Sequence, residues 1–230
     1  MSDREACAVS PSADPTSGAR GPRRPGERHE QSLATRAAIV AAAAERFAEV
    51  GYHGATLSEI LARSGVTKGA MYFHFPHKEA MAEAVIAATD AAWADLLAEL
   101  RERGGDPLLT LLALTERIVV AVRVDPVVRG GVRLLNDAAV AVEHGAAHYR
   151  FAEEAVVIRL GEAAEAGVLR PAVDVAVLAR QVATLMAGHH LICERSGTLD
   201  ELPARVAAMW AALLPLIATD DWLGEYHVAT

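Results

Sequence analysis

From Ser32 onward, apolar residues recur at spacings of three and four almost to the end of the chain. Ile39, Val40, Ala43, Phe47 and Val50 form one such stripe, and Gly51 is placed to end that helix. Thr56-Leu57-Ser58-Glu59 fits a capping box, in which the Thr hydroxyl and the Glu carboxylate satisfy free amides at a helix start. Leu57, Ile60 and Leu61 then give a short helix its buried face, and Gly65 closes it. Thr67 opens the next helix and Phe75-Pro76 stops it, because proline disfavours helical geometry at the residue before it. A longer helix starts at about His77 and runs through Met81, Val85, Ile86 and Trp93. Further breaks are expected at 104–107, Asp125-Pro126, Gly145, 167–171 and 197–203, leaving helices of roughly 15–20 residues between them. No sustained period-2 alternation occurs, so the expected fold is all-α.

The first 30 residues break this pattern. They are rich in Pro, Gly, Ser and Arg, have no apolar period, and are expected to be disordered. The N-terminus carries no apolar core of a signal peptide, and no run approaches the ~20 apolar residues of a membrane span. Cys7 and Cys193 are too few and too distant for a disulfide framework, so a cytoplasmic setting is expected.

Charge changes the picture by its distribution. The formal net charge of −8 argues against a nucleic-acid partner, yet residues 31–80 carry a net +1 while residues 81–230 carry −9. A neutral-to-basic head on an acidic body approaches a polyanion in one orientation only. Both lysines of the chain and three of its eight Phe and Tyr fall within 65–80, GVTKGAMYFHFPHKEA.

Two short helices at about 57–63 and 68–74, joined by Ser64-Gly65-Val66-Thr67, read as a helix-turn-helix whose second helix enters a major groove by its N-terminal residues. Small residues at Gly69 and Ala70 let that helix sink toward base edges, and Lys68 reaches a guanine edge or a phosphate. Tyr72, His74 and Lys78 are placed for flanking phosphates. The plainer reading of the aromatic cluster is core, and Phe73 and Phe75 are assigned to it.

The strings ATRAAIVAAAAERFAEVGYHGATLSEILARSGVTKGAMYFHFPHKEA resemble the DNA-binding module of the TetR family of transcriptional repressors. Within that family, VTKGAMYFHF, DPVVRGGVRL at 125–134 and EAGVLRP at 165–171 are similar to the γ-butyrolactone and butenolide autoregulator receptors of actinomycetes. The resemblance implies an all-α homodimer on a palindromic operator, released by a small-molecule inducer and controlling antibiotic or secondary-metabolite genes. A TetR-type regulator of drug efflux is the alternative. It also implies a disordered basic arm over 1–31, a helix-turn-helix domain over 32–77, a ligand-binding and dimerisation domain over 78–219 and a tail over 220–230. Residues matching the family's DNA contacts are Thr56, Thr67, Lys68, Gly69, Ala70, Tyr72, His74 and Lys78. The arm residues Arg20, Arg23, Arg24 and Arg28 either track the minor groove or form a solvated tail.

Position in the receptor pattern makes Thr89 and His189 the expected hydrogen-bonding partners of a ligand oxygen, with Trp93, Phe151, Leu185 and Met186 beside them. The plain alternative for each apolar member is core packing. Many such receptors carry a pocket Trp just before the EAGVLRP segment. Here the stretch reads HYRFAEEAVVIRL, with Tyr149 and Phe151 but no Trp, which leaves a γ-butyrolactone, butenolide, furan or antibiotic-like ligand open. His144/His148 and His189/Cys193 imitate metal-ligand spacing, but each supplies only two ligands, so no metal is expected, and no cofactor. No nucleophile–base pair, phosphate loop or paired-carboxylate motif points to an enzyme. Residues 173–192 and 204–217 are apolar on more than one face, as at a four-helix dimer interface or in an oversized monomer core, and the dimer is favoured because a palindrome-reading helix-turn-helix needs a partner.

Overall fold

The structure is a computed structural model and describes residues 25–137 and 142–229. Among these described residues ten α-helices follow one another: α1 Pro25–Gly54, α2 Leu57–Ser64, α3 Lys68–His74, α4 Lys78–Arg103, α5 Pro107–Val124, α6 Pro126–Leu135, α7 Val142–Glu165, α8 Val175–Ser196, α9 Leu202–Ile217 and α10 Asp220–Ala229. Among the described residues there is no β-strand, only an isolated bridge between Leu169 and Ala218. The fold is all-α, a helix-turn-helix followed by a larger helical body.

The local signals around α2 and α3 act as their chemistry requires. Thr56 and Glu59 form the reciprocal capping box, and Gly65 adopts the left-handed conformation (φ 66°) that closes α2. The Thr67 hydroxyl accepts from the Ala70 amide at 3.2 Å to open α3. Three expectations need correction. The first helix starts at Pro25, not Ser32, with proline in the first turn, where its missing N–H costs nothing. Gly145 lies inside α7, since one helical glycine costs only about 1 kcal/mol; the break comes earlier, after the α6 C-cap at Asn136. The C-terminal residues expected as a flexible tail form α10, anchored by Trp222 Nε1 donating to Asp106 Oδ2 at 2.8 Å.

Two apolar cores result. The first gathers Ile39, Phe47, Ile60, Met71 and Phe75 from α1–α3, but Met81, Val85 and Ile86 of α4 and Leu134 and Leu135 of α6 complete it. The second fills the body around Leu108, Leu111, Leu160, Val182 and Trp210. α6 joins them without slack: a Cβ on Gly130 would collide with the Ala44 carbonyl, and one on Gly131 with the Thr89 hydroxyl. α8 is long and apolar enough to cross a membrane by length and composition. Its Leu178, Ala179, Val182 and Cys193 are nevertheless buried in the body core.

Candidate nucleic-acid interface and regulatory cavity

α3 is fastened from beneath and open above. Met71 and Phe75, four residues apart, face the first core. Thr67, Lys68, Gly69, Tyr72 and Phe73 are exposed, and nothing lies within 4 Å of where a Gly69 Cβ would stand. Phe73 is 81% exposed while Phe75 is 2% exposed, so the expected burial holds for Phe75 and is corrected for Phe73. The spacing already contained the reason: a residue two positions from an inward-facing Met71 points the other way around the helix. Beside α3, Arg28, Gln31, Ser32 and Thr35 of α1 border a shallow groove closed by Ala70, Phe73 and His74. Arg28 is the one member of the basic arm within the described residues; Arg20, Arg23 and Arg24 lie outside them.

The charges behind α3 are mostly committed to the fold. Arg46 bridges Glu49 (2.6 Å) and Glu59 (2.9 Å), and Arg63 bridges Glu49 (2.7 Å) and Glu45 (3.4 Å). Hydrogen bonds from Arg63 and Arg46 hold the Glu49 carboxyl below the usual carboxylate range; Thr56 and then Arg46 do so for Glu59. These pairs clamp α2 to α1. The Thr56 hydroxyl both donates to Glu59 Oε2 (2.8 Å) and accepts from the Glu59 amide (3.3 Å), so it serves the cap first. The Lys78 ammonium donates to the carbonyls of Tyr52 (2.9 Å) and Ala55 (3.1 Å) and lies 4.2 Å from the Tyr52 ring centroid. Two of its three N–H donors are therefore held inside the fold. Lys68, in contrast, stands at the exposed start of α3.

The body encloses a cavity of about 130 Å³ between α4, α5, α6, α7 and α8. Its wall is mostly aliphatic and aromatic, with Trp93, Ile118, Val132, Leu135, Phe151 and Met186 among its members. The described residues that line it include no Asp, Glu, Lys or Arg. Its polar groups are few. Trp93 Nε1 is buried and meets no acceptor among the described residues. His148 Nδ1 lies 2.8 Å from Asp90 Oδ1, which fixes the proton on Nδ1 and leaves Nε2 as the acceptor of the neutral ring. Burial pushes the His190 imidazole below its ordinary pKa and keeps it uncharged. Thr115 is already satisfied, donating to Leu112 O and accepting from Trp210 Nε1, both at 2.8 Å.

Residues 39–85 match the family described as bacterial regulatory proteins, tetR family. The A-factor receptor protein of Streptomyces griseus is 34% identical over 189 residues, 82% of this chain. The chain covers 65% of the length of that relative. A crystal structure of a γ-butyrolactone receptor, an ArpA-like protein, superposes with a TM-score of 0.71 at 31% identity, over 83% of this chain and 92% of that one. The chain belongs to the TetR family. A further TetR-family structure, CprB from Streptomyces coelicolor in complex with its biological operator sequence, is 32% identical with a TM-score of 0.67, covering 85% of this chain and 94% of that one.

In this TetR-family chain, three of the six expected ligand residues line the cavity: Trp93, Phe151 and Met186. Three do not. Thr89 is fully buried, and its single O–H has two carbonyl acceptors in reach, Val85 O (3.0 Å) on its own helix and Val127 O (3.1 Å) on α6, so that α4 meets α6 closely beside Gly131. Leu185 is 37% exposed on the outer face of α8. His189 yields its expected place to His190, one residue or about 100° further round the same helix. His148 and Tyr149 also line the cavity and were not named as ligand candidates; the HYRF string contains both, but helical phase alone separates wall from surface. Among the described residues no group of three or more His, Cys, Asp or Glu is placed to hold a metal ion.

Proposed function

We propose that the chain is a ligand-released transcriptional repressor that binds a palindromic operator as a homodimer in the cytoplasm and controls antibiotic or secondary-metabolite genes. The observation that carries this reading is α6. Its Val132 and Leu135 line the body cavity, while its Gly130 and Gly131 press on α1 and α4 with no room for a methyl group. A ligand that widens the cavity moves α6, and α1 and α4 have to follow. α3 packs on α1 through the shared core, so its angle to the duplex changes with them.

The DNA contacts follow from exposure. Thr67, Lys68, Gly69 and Tyr72 form the leading edge of α3, with Ala70 and His74 on the groove beside α1, and Thr56 and Lys78 flank them. Phe73 joins them as an apolar contact suited to a thymine methyl. α8 and α9 turn Val177, Leu185, Ile192 and Leu216 outward, an apolar surface that a second copy would cover. The two α3 helices of such a dimer would then read half-sites about one turn of DNA apart.

The cavity wall favours an uncharged inducer bearing a ring and an oxygen acceptor, of the γ-butyrolactone, butenolide or furan type. A ligand oxygen on Trp93 Nε1 would recover the roughly 1–3 kcal/mol that an unsatisfied buried donor costs. A cavity of about 130 Å³ suits a small ring and has to expand around anything larger. A gel-shift titration against the DNA upstream of its own gene tests this reading. The expected result is a retarded band that weakens steeply with salt and is dissolved by a γ-butyrolactone or butenolide; a band insensitive to salt, or none, overturns it.

A further inference from the structure

A line of polar contacts runs from the cavity wall to the end of α1. Tyr149, whose ring lines the cavity, donates from its hydroxyl to Asn136 Oδ1 at 2.8 Å. Asn136 also stands near the Glu194 carboxylate and favours its charged form. Glu194 Oε1 lies 3.6 Å from Arg133 Nε. Arg133 Nη1 in turn donates to the carbonyls of Ala48 (2.7 Å) and Glu49 (3.2 Å). Those are among the last carbonyls before Gly51, whose φ of 72° interrupts the helical geometry of α1. The same guanidinium packs over Gly51, 3.4 Å from where a Cβ would be.

Four helices contribute to this line: α7 supplies Tyr149, α6 Arg133 with its cap Asn136, α8 Glu194, and α1 the carbonyls. Glu194 is the member that packing alone does not explain. Burial drives its carboxyl above the ordinary range, opposed by Arg133, Arg195 and Asn136. A partly buried carboxylate held this way contributes little net stability, since desolvation offsets its pairing. His190, one helical turn before it on α8, lines the cavity, so Glu194 sits on the same face just beyond the ligand space.

We propose that Tyr149, Asn136, Glu194 and Arg133 act as a relay that transmits occupancy of the cavity to the end of α1 and the turn into α2. The relay rests on the reading of the cavity as the ligand site. An occupant that displaces the Tyr149 ring breaks its bond to Asn136, Glu194 loses an orienting partner, and Arg133 loosens its hold on Ala48 and Glu49. α1 is then freed at the point where it turns into the helix-turn-helix. These are positioning residues: apart from Tyr149, they act on the interface through one another.

The test needs no identified inducer. In the full-length protein, Ala152→Leu places extra volume in the cavity wall next to Phe151 and serves as a built-in occupant. Hydrogen exchange over residues 46–56 is compared for the parent, Ala152→Leu, Glu194→Gln and the double variant. Ala152→Leu is expected to speed exchange there by at least about fivefold, the lower end of usual coupling strengths, and Glu194→Gln to abolish that response. Glu194→Gln is isosteric and leaves Arg133 its two carbonyl partners, and a cooperative melt for this variant separates loss of the relay from loss of the fold. Should Ala152→Leu not fold, Ala183→Val is read in the same way. The relay is overturned by unchanged exchange over 46–56 in the filled variant, or by an equal response with and without Glu194. Release of operator DNA by a lactone is a separate readout, so its failure would sink the inducer assignment and leave the relay standing or falling on exchange alone.

Discussion

The first core and the body core bury their side chains to different degrees of completion. Around α1–α3, Ile39, Phe47, Ile60, Met71 and Met81 are sealed, and most polar groups close to them are paired: Thr56 with Glu59, Lys78 with two carbonyls, Arg46 and Arg63 with glutamates, with Arg46 Nε the buried exception. The body is as apolar but leaves a space of about 130 Å³ and an unpartnered indole N–H at Trp93. A reading head has to hold α3 at a fixed angle, so it gains from having one packing arrangement. A receptor has to accept a guest, so it gains from a site that only the guest completes. α6 touches both regions and shows which way slack is distributed: none toward α1 and α4, and open space toward the cavity.

Glycine substitutions test that contrast most severely. Gly130→Ala should cost about 3 kcal/mol in urea unfolding, because the added methyl meets the Ala44 backbone. Gly69→Ala, with open space around it, should change stability by no more than about 1 kcal/mol, in the stabilising direction. A neutral Gly130→Ala would show that α6 has slack on both sides. The two lysines separate next. Lys78→Ala should lose about 2 kcal/mol, leaving two carbonyls without their donor. Lys68→Ala should stay within about 0.5 kcal/mol, yet lower the salt slope of operator binding by about one.

Smaller effects sharpen the comparison within each half. Trp93→Phe should keep stability within about 1 kcal/mol, despite the lost volume, because it removes the unpaired donor; inducer affinity measured by calorimetry should fall roughly tenfold. Phe73→Ala should leave the melting curve unmoved and weaken operator binding by roughly tenfold in a gel shift. The smallest effect belongs to His190. Its pKa in the fold is depressed by burial below the ordinary 6.5, so the unfolded chain binds the proton more readily. Stability from this group is present above pH 6.5 and is lost as pH falls below it, and His190→Gln should flatten that part of a melting-temperature profile.

The helix-turn-helix was legible because its determinants are local. Thr56 with Glu59, the left-handed Gly65, Thr67 and the Phe75-Pro76 stop each act within a few residues, and α2 and α3 fall within a residue of the expected spans. The cavity was half legible. Trp93, Phe151 and Met186 were named and line it, while Thr89, Leu185 and His189 were named and do not. Each miss is a matter of helical phase or of which neighbour arrives: Thr89 faces α6 instead of the cavity, and His190 replaces His189 by one step of rotation. Phe73 and Phe75 were both assigned to core on their apolarity, and only Phe75 shares a face with Met71.

The sequence alone determined an all-α chain, the positions of its caps and stops, the short helix α3 with its Thr67-Lys68-Gly69 start, and the family to which these strings belong. Short-range forces set these, since a cap or a left-handed glycine needs no distant partner. The tertiary structure decided what sequence separation conceals. It brought Arg133 to the carbonyls of Ala48 and Glu49, Glu194 to Arg133, and Lys78 to the carbonyls of Tyr52 and Ala55. It also left Trp93 without a partner. Those outcomes depend on how helices pack across the chain, because burial and pairing belong to the assembled surface and not to any one segment.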